Sequence, residues 1–164
     1  MEQVTADEVL PLKRRHVLDA LMQLYLHDLS EHASLNTSHG EVGEDGRFDY
    51  RWLDNYWHEP GRVPLLIRAD GRIAGFVLVN QWSALDRPLD HAIAEFFVLR
   101  KSRRAHVGTR AAHQLFRHMP GRWEVPVASY NPESGSSVVA RPGRIGGFGW
   151  NGRAHDRADP SPGG

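Results

Sequence analysis

The chain has no cysteine, no net charge and no long apolar run, and each absence removes a class of function. Without thiols there is no disulfide, no thiolate nucleophile and no cysteine-ligated metal. Twenty Lys and Arg against 20 Asp and Glu leave no global field, so neither nucleic acid nor an anionic membrane is an expected partner. No stretch approaches the ~20 apolar residues of a bilayer-spanning helix. The opening MEQVTADEV lacks the basic and apolar regions of a signal peptide, so a cytoplasmic protein is expected. Convergent metal ligands are scarce too. His27, Asp28 and His32 are close in sequence, but His27 and His32 do not share a helix face, and a catalytic zinc takes three converging ligands. No metal is expected. At 164 residues the chain is long enough for one domain with a real core.

What is present concentrates between Ala92 and His118. Ala92 to Leu99 is apolar except for Glu95, with aromatic and β-branched residues at its centre, and fits a buried strand. Arg100-Lys101-Ser102-Arg103-Arg104 follows as a basic turn. Val107-Gly108-Thr109 then opens a helix on which Val107, Ala111, Leu115 and Met119 recur every fourth residue, beside Ala112 and Phe116. Strand, basic turn and helix N-terminus together make a place for phosphate. The unpaired first-turn N–H groups and the helix dipole favour an anion, and the arginines add charge. Outside that setting a Lys/Arg run reads as a solvated surface turn.

These residues resemble the acyl-CoA-binding motif of the GNAT superfamily of N-acetyltransferases, Arg/Gln-x-x-Gly-x-Gly/Ala between a strand and a helix. Here it reads Arg103-Arg104-Ala105-His106-Val107-Gly108, with His106 in the place of the first glycine. The resemblance implies an α/β fold of the α+β type. Its mixed, mostly antiparallel sheet would carry flanking helices and a strand–helix–strand unit that binds CoA. It implies acetyl transfer from acetyl-CoA to an amine acceptor, either a small molecule or a peptide. Arg103, Arg104, His106, Val107, Gly108 and Thr109 would hold the pyrophosphate, mostly through backbone N–H groups. Phe97, Val98 and Leu99 would line the pantetheine and acetyl carbonyl, Val98 and Leu99 through backbone groups. Glu95, the one charge in the strand, is the candidate general base, directly or through water. Its alternative is a salt-bridged or edge-facing glutamate. The family's proton-donating tyrosine follows an asparagine helix, whereas Tyr130 precedes Asn131, so no general acid is assigned.

The remaining pattern agrees with that order. A first strand is expected near Gln3–Thr5. Val17, Leu18, Leu21, Met22, Tyr25 and Leu29 predict an amphipathic helix from Arg14 to Glu31, and residues 33–49 read as a loop. The aromatic stretch Tyr50 to Trp57 suggests helical faces that either cover the sheet or wall an acceptor pocket. Val63–Ile67 and Ile73–Val79 read as strands joined by an Asp70-Gly71 hairpin turn. Pro120-Gly121 stops the motif helix, and Trp123–Ala128 is a parallel strand with Pro126 at a bulge or edge.

From Asn131 the composition changes. The last 34 residues hold eight glycines and four prolines with little apolar periodicity, so residues 1–130 are expected to form the domain and 131–164 an irregular tail. The final strands of the family would then be missing. Two origins stay open, a reading frame lost near Ser134 and a natural low-complexity tail. Missing strands would expose sheet edge, so self-association, simplest as a homodimer, is expected. Two further functional readings also stay open. One is a GNAT-fold protein that binds CoA without turnover. The other is a non-enzymatic module for a phosphate ligand.

Overall fold

A computed structural model describes residues 8–31, 40–83, 86–103, 105–126 and 137–140. The elements are β1 (Glu8–Pro11), α1 (Arg15–Ser30), α2 (Asn55–His58), β2 (Val63–Ala69), β3 (Arg72–Asn80), β4 (His91–Val98), α3 (Arg100–Arg103), α4 (Val107–His118), β5 (Trp123–Pro126) and β6 (Ser137–Ala140). The six strands lie in chain order in one sheet. Every neighbouring pair is antiparallel except β4 and β5. This is the mixed, mostly antiparallel sheet with flanking helices that the resemblance implied.

Periodicity placed the helices well. Leu18, Leu21, Met22 and Tyr25 are the buried face of α1, and Val107, Ala111, Ala112, Leu115 and Phe116 that of α4. The Asp70-Gly71 turn has positive φ at both residues, 50° and 72°, as a two-residue hairpin loop of the I′ kind needs. The strand expected at Gln3–Thr5 lies outside the described residues, and the first strand seen begins at Glu8. There the Val9 N–H donates to Gln114 Oε1 of α4 at 3.1 Å, which covers part of the sheet edge. The aromatic stretch is helical only over Asn55–His58. Its rings mostly cover the sheet: Tyr50, Leu53, Tyr56 and Trp57 pack on the α1 side. One strand, β6, continues the sheet past β5 within the stretch expected to be irregular. Val138 and Val139 suit extended backbone, and the β5 edge supplies ladder groups for them.

The sheet separates two cores. On one face α4 packs over Val77, Val79, Ile93, Phe96, Val98, Trp123 and Val125. On the other α1 covers Leu66, Phe76, Leu78 and Phe97. Bulges decide which residue goes where. Ile67 opposes Gly75 and Arg68 opposes Ile73, so Ala74 is an extra residue in β3. Leu78 opposes Glu95 and Val79 opposes Ile93, so Ala94 is an extra residue in β4. Without that second bulge Ile93 and Glu95 would share a face. With it, Ile93 joins the α4 core while Glu95 turns under α1. Beside it the strands approach closely: a Cβ on Gly75 would lie 1.9 Å from the Phe97 carbonyl oxygen, so only glycine fits.

Candidate active site

The parallel pair β4–β5 is brief. His91 pairs with Trp123 and Ala92 with Glu124, and among the described residues no pairing follows along β4. The Leu99 N–H donates to the Ala74 carbonyl on β3 at 2.7 Å. Strand alternation therefore turns the backbone groups of Val98 the other way, toward the β5 side of β4, past the end of the described parallel ladder. The N-terminus of α4 stands beside Val98. Among the described residues no side chain caps it, and the Arg110 N–H is bonded to the His106 carbonyl at 3.1 Å. The first-turn N–H groups before it have no partner within the helix, the feature that suits a helix terminus to an anion. Gly108 lies in that turn, and a Cβ there would only touch Val98 and Phe96 at 3.5 and 3.7 Å. A helical glycine costs about 1 kcal/mol relative to alanine. Nothing in the packing requires it, so its open side suits a close-lying ligand.

The predicted phosphate residues do not all point to that ligand. Arg103 donates through Nε to the Val98 carbonyl at 2.7 Å and through Nη2 to Asp28 of α1. Arg100 also pairs with Asp28, at 2.9 Å. Burial pushes the Asp28 carboxyl up, but the two guanidinium groups outweigh it and hold the pKa below the ordinary value. Arg103 thus joins the basic turn to α1. Arg104 lies outside the described residues. His106 adopts a left-handed conformation, φ 56° and ψ 22°. This explains a glycine at that place in the motif: left-handed backbone costs a residue with a Cβ on the order of 1 kcal/mol. Val107 is buried under the α4 core, and Thr109 is half-buried. Phe97 points to the face opposite α4, its ring 5.5 Å from Tyr25 and 5.6 Å from Phe76, and Leu99 packs on the same side.

Glu95 is 8% exposed. Tyr25, on α1, donates its hydroxyl to Oε2, and Tyr50 donates to Oε1 at 3.1 Å. Burial pushes the Glu95 pKa up to about 7, and the two phenols pull against that shift without cancelling it. Burial, followed by the field of Glu95, lifts Tyr50 well above the ordinary phenol value, so it remains a hydroxyl donor at neutral pH. Glu95 is therefore neither edge-facing nor salt-bridged. Sequence reasoning passed over Tyr25, which looked like one more apolar position, and Tyr50, one aromatic ring among the four from Tyr50 to Trp57. The signal available was chemical: a buried phenol and a buried carboxylate each need a partner. Among the described residues no group of three acidic or histidine side chains could hold a metal. No described helix is long and apolar enough to cross a membrane.

A mixed sheet with one short parallel pair, an uncapped helix terminus beside it and a buried carboxylate on the same strand make the α/β arrangement that the GNAT resemblance implied. Residues 18–134 match the Acetyltransferase (GNAT) family, and the chain belongs to that family. In fold it is similar to the ribosomal-protein-alanine N-acetyltransferase from Brucella melitensis biovar Abortus 2308. The two are 17% identical with a TM-score of 0.52, over 79% of this chain and 84% of that one. An integron cassette protein from the mobile metagenome of V. cholerae is 16% identical with a TM-score of 0.48, over 90% of this chain and 94% of its own. No curated protein matches the sequence.

Proposed function

We propose that this chain transfers an acetyl group from acetyl-CoA to a primary amine. The observation that carries the reading is that one strand, β4, serves both ends of the reaction. Its Val98 backbone faces the β5 side beside the α4 terminus, and Glu95 stands three residues earlier, about 10 Å along the strand. The first-turn N–H groups around Gly108 would hold the pyrophosphate, and the Val98 backbone the pantetheine arm. Bound acetyl-CoA supplies the thioester carbonyl that an amine attacks. Glu95 accepts a proton from the substrate ammonium on Oε1, directly or through a water, so that the nitrogen lone pair is free. On that side its partner is the half-buried Tyr50, whereas Tyr25 is only 1% exposed, so Oε1 lies nearer solvent. A carboxyl that titrates near 7 is matched to this task at neutral pH.

Calorimetric titration with acetyl-CoA tests the first half. Saturable binding is expected, and Gly108→Glu should abolish it by placing a carboxylate against the phosphates. Gly108 is the better target than Arg103, because Arg103 also anchors α1. Thiol release from acetyl-CoA with a panel of small amines, lysine and peptide N-termini tests the second half. A folded protein that does not bind acetyl-CoA would sink the reading. Binding without thiol release on any amine would favour a second reading, cofactor binding without turnover. That reading has one observation behind it: the Arg103 guanidinium already serves Asp28 and the Val98 carbonyl.

A further inference from the structure

The Gln23 side chain makes two reciprocal hydrogen bonds with the backbone of one residue. Its Nε2 donates to the Phe48 carbonyl at 2.9 Å, and its Oε1 accepts from the Phe48 N–H at 2.8 Å. The pair mimics a strand contact and ties the loop before α2 to the third turn of α1. Two residues beyond Phe48 the same loop delivers Tyr50 to Glu95. The loop also meets α1 through the Phe48 ring, 6.4 Å from that of His27, and through Tyr50 in the core beneath that helix. Its other backbone bonds are the local turn from Gly43 to Arg47, and residues 40–47 are all exposed. A reciprocal side-chain pair on both backbone groups of one residue, at the edge of the exposed stretch, is a latch, and Tyr50 is what it positions.

We propose that Gln23 and Tyr50 are positioning residues for Glu95: the Gln23 latch on Phe48 holds the loop so that the Tyr50 hydroxyl fixes the carboxylate oxygen that faces the acceptor. The proposal rests on Glu95 being the base. α1 contributes Tyr25, and the loop contributes Tyr50. Tyr56 of α2 acts on Tyr50. β3 offers only Phe76 and Leu78, and the strand neighbour is Phe97. Glu124 of β5 stands across from Ala92, further up the strand. Only burial and the two tyrosines move Glu95, and no cation contributes. A hydroxyl that donates to the ionised form favours it, so each phenol that is lost must raise the pH at which Glu95 ionises.

The experiment follows the Glu95 carboxyl carbon by NMR in chain labelled at glutamate Cδ, with Glu95→Gln to assign the signal. Tyr50→Phe should move the titration up by about one pH unit, the range expected for one hydrogen bond to a charged group. Gln23→Met, which keeps the shape and removes both bonds, should move it in the same direction. The double variant should go no further than Tyr50→Phe alone, because the two act in series. Tyr25→Phe serves as the comparison that bypasses the latch and should shift the titration by itself. A Gln23→Met titration at the parent value, or full additivity in the double variant, would overturn the latch. The pH dependence of acetyl transfer then separates this from the base assignment. If Glu95 is the base, the acid limb of kcat/KM moves up with the carboxyl. A carboxyl that moves while the limb stays supports the latch and removes Glu95 from the base role.

Discussion

Tyr25 and Asp28 lie one turn apart on α1, and each serves a carboxylate of opposite character. Asp28 is itself the carboxylate, gripped by Arg103 and Arg100 from the basic turn. Tyr25 reaches across to Glu95, whose other partner among the described residues is a second phenol. Burial pushes both acids toward their neutral forms. At Asp28 two cations outweigh it and the group stays ionised. At Glu95 neutral donors do not, and the group titrates at about 7. Two hydroxyls can satisfy the lone pairs of a buried carboxylate without fixing its charge; two guanidinium groups satisfy it and fix the charge as well. The first kind of site can exchange a proton at neutral pH, while the second can only hold two elements together.

The largest test of that contrast is activity. Glu95→Gln should lower kcat for acetyl transfer by ~10²- to 10⁴-fold, the usual weight of a positioned base, with acetyl-CoA affinity nearly unchanged by calorimetry. Loss of affinity instead would make Glu95 part of the cofactor site. Stability comes next. The folded chain keeps a proton on Glu95 up to about 7, whereas the unfolded chain releases it at the ordinary value of 4.5. The stabilisation is fully present below 4.5 and is lost as pH rises through about 7, a change of roughly 3 kcal/mol. Urea unfolding from pH 4.5 to 8 should therefore show Glu95→Gln gaining on the parent chain as pH rises. Parallel curves would mean that Glu95 ionises normally and that the contrast with Asp28 is false.

Much of this arrangement was legible in the sequence, and the reason is periodicity. The four-residue recurrence from Val107 to Met119 and the run around Phe96 gave the α4 core, because one helix face and one strand suffice to define it. Glu95 stood out as the lone charge in an apolar strand. Its partners did not, since Tyr25 and Tyr50 are 70 and 45 residues away and meet it only through the packing of α1 and a loop. That Glu95 shares a face with Phe97 and Leu99 follows from strand alternation. What was hidden is that Ile93 joins Phe96 on the other face. That depends on the Ala94 bulge, a single-residue slip with no mark in composition. Arg103 looked like free charge for phosphate because nothing local shows that α1 ends beside it with Asp28. The departure at His106 was visible as a missing glycine, but its left-handed backbone was not.

That residue supplies a smaller prediction, which asks whether the turn geometry depends on the Asp28 bridge. His106→Gly relieves a left-handed residue and should stabilise the chain by about 1 kcal/mol in urea unfolding. Neither carboxylate should titrate differently, because the strain is local to the α4 terminus. A stability loss would mean that the His106 ring makes contacts that outweigh its backbone.

The smallest effect belongs to Asp28, and its sign is what matters. Asp28→Asn removes a pair of ion pairs whose arginine side chains are 68% and 42% exposed, so water and salt screen much of the attraction. The loss should be about 1 kcal/mol or less at low salt and smaller still at high salt. The folded pKa of Asp28 lies below its ordinary value of 3.8. Its contribution is therefore present above 3.8 and disappears as pH falls through the folded value, where Asp28→Asn and the parent chain should become equally stable. Glu95→Gln behaves in the opposite sense, gaining on the parent as pH rises toward 7. Unfolding both variants across one pH series sets the two slopes side by side. If Asp28→Asn also gained on the parent between 4.5 and 7, the arginines would not be holding that carboxylate ionised, and the division between an anchoring acid and a proton-exchanging one would fall.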